Sequence, residues 1–254
     1  MLAFGYRFLS TVKVSWASSI VFATIGTTIT ALVLLPLLEI LFSVLMGNDL
    51  GSPDLVRTGY GAGLVALCLS VLSGIVATIA RQRTIGVFFE IHTFRRFDLA
   101  YWLAIIIAPT VFSLVTALVS LGGVFIFDPT HDLNQLGRTI VLLPVALCCG
   151  ILLGIAASGI GVNLSDPYLG ATIAGVFLPV LAGVIVPATF FPTWLELVSL
   201  VAPMRGTLNW LSGTGGIQGM LFDVLIAAIW AGIGIATIQR ALIRTRAGIR
   251  FDTL

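Results

Sequence analysis

A chain of 254 residues that is 58% hydrophobic and only 9% charged carries more apolar surface than a soluble domain of this size can enclose, because such a domain must cover itself with polar side chains. Thirteen Lys and Arg against eleven Asp and Glu leave a formal charge of +2, with no basic stripe of the kind a nucleic acid requires. The composition predicts an all-α integral membrane protein in a single transmembrane domain, 1–254. The apolar runs are continuous and lack the alternation of a transmembrane β-barrel.

In chain order, Phe4, Phe8, Val12 and Trp16 recur at i+4 with Arg7 and Lys13 on other faces, which predicts an N-terminal interfacial helix over residues 1–16. The apolar run that follows is far longer than a signal-peptide h-region, so the segment is expected to be retained. A crossing helix needs about 20 apolar residues. Six segments qualify: 18–46, 59–80, 99–126, 139–162, 170–190 and 219–241.

The first span carries Thr24, Thr27, Thr28, Thr30, Pro36 and Glu39. Counted from Trp16, Glu39 is roughly 34 Å along a helix, at the outer boundary of the bilayer. Between the second and third spans, Arg81 to Asp98 place Val87, Ile91 and Phe94 at i, i+4 and i+7 among charges. That spacing predicts an amphipathic helix over 83–97, which serves either as a docking element or as a basic helix resting on anionic headgroups. After the fifth span, residues 187–211 are apolar but broken by Pro187, Pro192 and Pro203. Two short helices there form a hairpin over 192–211 that dips into the outer leaflet.

Lys and Arg set the orientation. Ten of the thirteen, Arg7, Lys13, Arg81, Arg83, Arg95, Arg96, Arg240, Arg244, Arg246 and Arg250, fall on one side, leaving Arg57, Arg138 and Arg205 for the other. Both termini are therefore expected on the cytoplasmic side.

Catalytic constellations are absent. His92 and His131 lie in loops on opposite sides, so no His cluster forms a metal site or activates Ser158. Cys68, Cys148 and Cys149 lie within spans without Cys-x-x-Cys spacing and read as packing residues. The only lysine, Lys13, has no Walker A context. The chain is thus expected not to be an enzyme and to bind no cofactor; active transport would draw on an ion gradient or on a separate ATPase.

Phe190-Phe191-Pro192, then Trp194 and Pro203, and the loop with Gly86, Thr93, Arg96 and Asp98 resemble the signatures of type-2 ABC exporter permeases, whose six-helix subunits pair and work with separate ATP-binding subunits. The family's Glu after Gly-Thr and Pro after Thr are missing here. The resemblance implies that 83–97 is a coupling helix, with Arg83, Val87, Phe88, Glu90, Ile91, Phe94 and Arg96 meeting the ATPase. It further implies two ATP-binding subunits holding ATP and Mg, a second permease (the same chain or a paralogue), a lipid surround and the cytoplasmic membrane of a bacterium. Cargo moving along the seam between permeases would meet Thr24, Thr27, Thr28, Pro36, Glu39, Phe190 and Phe191. That lining suits a hydrophobic or amphipathic compound such as a drug, lipid or peptide antibiotic. Export of a glycan or glycolipid, and a non-transporting scaffold or immunity protein, are the alternatives.

Overall fold

The computed structural model describes residues 2–17, 24–52, 54–94 and 99–246. Among them every regular element is helical. Helix α1 covers Leu2–Ala17, α2 Ile25–Asp49, α3 Leu55–Thr84, α4 Val87–Phe94, α5 Leu99–Phe127, α6 Leu133–Val162, α7 Leu169–Leu181, α8 Thr193–Ser199, α9 Arg205–Leu211 and α10 Ile217–Arg246. Five of these, α2, α3, α5, α6 and α10, are long and apolar enough to cross a membrane, and the protein is a multi-pass, membrane-embedded helical bundle.

Helix α3 is the axis of the bundle. It packs on α6, α5, α2 and α7, while α10 lies behind α6. Leu64, Leu72 and Ile75 of α3 are fully buried. Small residues let α3 and α6 approach: a Cβ on Gly150 would sit 2.6 Å from the Cys68 carbonyl oxygen. The Gly150 and Gly154 pair therefore works within the chain. Ala228, Gly232 and Ala236, in contrast, all lie on the exposed side of α10.

Two spans start earlier than expected. The second begins at Leu55 and the fourth at Leu133, because Asp54 and Asp132 are N-caps whose carboxylates accept from the Arg57 and Asn134 amides. Such a cap satisfies amides that a helix start leaves open. In the first span, Thr30–Leu34 forms a π turn directly before Pro36, as expected where a proline removes a backbone donor.

The expected fifth span, 170–190, is α-helical only in its first part. Helix α7 has only 13 residues, about 20 Å, and stops where Gly183 takes a φ of +77°. Helix α1 packs against α5. Its Trp16 ring is 4.6 Å from that of Phe112, about 20 Å into α5 from Leu99.

Candidate functional site

At one end of the bundle, Gly86, with a φ of +79°, provides the left-handed turn that separates α3 from α4. Helix α4 then lies against α3 and α10. Phe88 is fully buried, Val87 and Ile91 are half-buried, and Glu90 and the preceding Ile85 are exposed. Arg83 turns inward: its Nη1 donates to the Gly161 carbonyl at 2.7 Å and to the Leu164 carbonyl at 2.6 Å. A guanidinium at the C-terminal end of α6 satisfies carbonyls the helix leaves open. Among the expected coupling residues, Phe88 thus anchors α4 to the bundle and Arg83 ties the preceding end of α3 to α6, while Val87, Glu90 and Ile91 stay at or near its surface. Phe94 closes the helix, and Arg96 lies outside the described residues.

The opposite end is organised by Arg57, which the charge count had treated only as an outer-face cation. It is 4% exposed. Its Nε donates to Ser212 Oγ at 2.6 Å and its Nη1 to the Gly183 carbonyl at 3.1 Å, at the C-terminal end of α7. The stretch from Leu164 to Gly183 therefore runs from Arg83 at one end of α3 to Arg57 at the other. Its helix is short, but the helix and its flanking turns together cover the length of the bundle.

Residues 192–211 form two seven-residue helices, α8 and α9. The Trp230 indole donates to the Val201 carbonyl at 3.1 Å, and Trp230 is about 20 Å into α10 from Ile217. The turn between α8 and α9 thus hangs well down the side of α10. Asp223 holds α9 upright, accepting from the Gly206 amide (3.1 Å), the Thr207 amide (2.6 Å) and the Thr207 hydroxyl (2.7 Å). Arg205 pairs with Glu196 at 3.1 Å and donates to Ser199 Oγ at 2.8 Å. The hairpin's charged groups are satisfied among themselves, and its exterior is apolar, with Trp194 67% exposed.

The expected cargo-path residues are not brought together. Thr24 and Thr27 form a capping box at the start of α2, each hydroxyl accepting from the other's amide, and Thr28 donates to the Thr24 carbonyl. Pro36 is buried, and Phe190 and Phe191 sit far away at the Arg57 end, in and just after a 3-10 turn. Glu39 lies about 15 Å short of the end of α2 at Asp49, well inside the apolar helix and exposed on it, not at its boundary.

What sequence reasoning missed is a cavity of about 830 Å3 between α2, α3 and α5, at the Arg57 end. Leu37, Val44, Leu55, Val124 and Phe127 line it, together with Asp54 and Asp128. An acidic residue directly flanking a span on each of two neighbouring helices was the available signal. Among the described residues, no group of three or more His, Cys, Asp or Glu can hold a metal ion. Cys68, Cys148 and Cys149 are free thiols, and Ser158 donates to the Gly154 carbonyl at 2.7 Å as a packing hydroxyl. No protein-family profile, curated protein or solved structure matches the chain.

Proposed function

We propose that the protein is the permease subunit of an ATP-driven exporter of the type-2 ABC class, moving a hydrophobic or amphipathic compound across a bacterial cytoplasmic membrane by alternating access. The observation that carries this reading is α4: a separate short helix between two spans, fixed by the buried Phe88 and following an α3 end that Arg83 ties to α6, with Glu90 and the preceding Ile85 left exposed. A force applied there reaches α3 directly, α6 through the Arg83 bonds, and α10 by packing. A freely floating interfacial helix has no need of such an anchor.

Two further features support the reading. Counting the Leu164–Gly183 stretch as a crossing gives six, which fits the end of α10 lying on the α4 side of the bundle. The α8–α9 hairpin, apolar outside and internally paired, suits a re-entrant element in the outer leaflet. Helix α2 is the least buried of the five long helices and exposes Glu39 within its apolar length. A carboxylate at that depth is costly facing lipid, which favours a second permease covering it. ATP and Mg belong to the partner ATPases, and the chain itself is a transport subunit, not an enzyme.

Co-purification with the ATP-binding subunit encoded beside it tests the reading. The wild-type complex should survive gel filtration in nanodiscs, and Ile85→Asp with Glu90→Lys should dissociate it without changing the permease's melting. Failure of any ATPase to associate with the folded wild type overturns the proposal.

A further inference from the structure

The cavity between α2, α3 and α5 has the size of a site for a drug-sized ligand, ~300–1,000 Å3, at about 830 Å3. Its wall is aliphatic along α2 and ends, toward the Arg57 end, in Ser52, Asp54 and Asp128. Two of the lining residues are carboxylates, and none is Lys, Arg or His. Leu34, Leu38 and Leu41 also line it and are exposed on α2, so within this chain it opens along α2.

Neither carboxylate is in an ion pair among the described residues. Asp54 Oδ1 accepts from the Arg57 amide at 2.9 Å, while the Arg57 guanidinium donates elsewhere, to Ser212 Oγ and the Gly183 carbonyl. Asp128 is 3% exposed. Its Oδ1 accepts from the Thr130 amide at 2.8 Å and the Thr130 hydroxyl at 2.6 Å, with the Asp132 amide and His131 beside the carboxylate. Its Oδ2 is buried without a hydrogen-bond partner. A buried charged acceptor lacking a donor is unfavourable, and a cationic donor supplied from the cavity removes that penalty.

We propose that this cavity binds a cationic amphiphile, its apolar body against the α2 leucines and its ammonium group at Asp128 and Asp54. The site is built within one chain, by α2, α3 and α5. Binding rests only on the cavity and its carboxylates; that the bound molecule is cargo rests on the exporter reading above.

Calorimetric binding to the full chain in nanodiscs of zwitterionic lipid, corrected for empty nanodiscs, tests this with dodecylammonium, dodecanol and dodecanoate. Wild type is expected to bind dodecylammonium at least about tenfold more tightly than dodecanol, the scale of a charge-assisted contact, and dodecanoate more weakly still. Asp128→Asn should abolish most of the preference and leave dodecanol binding unchanged, and Leu41→Trp, on the exposed wall, should weaken all three. Should Asp128→Asn fail to fold, Asp54→Asn, which retains an N-cap, must still reduce the preference. Equal binding of amine and alcohol, a preference for dodecanoate, or an unreduced preference in the folded variants overturns the site. These arms need neither nucleotide nor a second subunit, so an intact preference in a chain that shows no ATP-driven transport would overturn the exporter reading alone.

Discussion

Removing the Asp223 carboxylate would strand the Gly206 and Thr207 amides and the Thr207 hydroxyl beneath the hairpin. A buried donor left unpaired costs about 1–3 kcal/mol, so Asp223→Ala is expected to lower unfolding stability by about 2 kcal/mol or more, and Asp223→Asn, which keeps one acceptor, by less. Melting in nanodiscs would rank the variants, and three indistinguishable curves would contradict the capping role. The Thr130 hydroxyl, more than any other contact, holds the Asp128 carboxyl below its ordinary range. Its stabilising share is therefore present above the ordinary carboxylate value and lost as pH falls through the lowered one. Thr130→Val should move that loss to higher pH, read as melting midpoint against pH from about 3 to about 6; an unshifted profile would contradict it. Asp54 and Asp132, each a short way ahead of an apolar run, carry the N-cap signal of the helices they start. What Arg57 binds was not legible, since its carbonyl partner at Gly183 is 126 residues away and no local spacing encodes it.

At the scale of elements, five of the six apolar runs announced themselves by length alone, as α2, α3, α5, α6 and α10 confirm. The end of the fifth run did not, because its break is conformational: Gly183 adopts positive φ within a sequence that stays apolar through Val186. Close packing of α3 on α6 makes Gly150→Ala costly. The added carbon would meet backbone and not a movable side chain, and overpacking of this kind lowers stability by about 1–3 kcal/mol; unaltered melting would show that the interface can separate. Whether α7 and its turns make a crossing is open to labelling in a background with Cys68, Cys148 and Cys149 replaced by serine. Single cysteines at Ser165 and Thr214 are expected to react with an impermeant maleimide from opposite faces of the membrane. Reaction from the same face would remove the sixth crossing.

For the molecule as a whole, bilayer residence and an all-helical bundle followed from composition, whereas the assembly of its working parts did not. The helix that carries the proposed coupling residues showed in the sequence as the periodic Val87, Ile91 and Phe94, yet nothing there separated the buried Phe88 and the carbonyl-bound Arg83 from exposed positions such as Glu90. The threonines near the start of α2, attractive as a polar path, are taken up by their own helix, and the cavity that stands in their place joins residues from three helices. Its carboxylates lie 74 positions apart in the chain, a proximity that only the packing of α3 on α5 creates. The most direct test of the exporter account is ATP hydrolysis by the permease and its neighbour-encoded ATPase in proteoliposomes, wild type against Ile85→Asp. The account predicts that the permease changes the ATPase rate severalfold and that Ile85→Asp abolishes the change while the permease remains folded; a rate indifferent to the permease would contradict it.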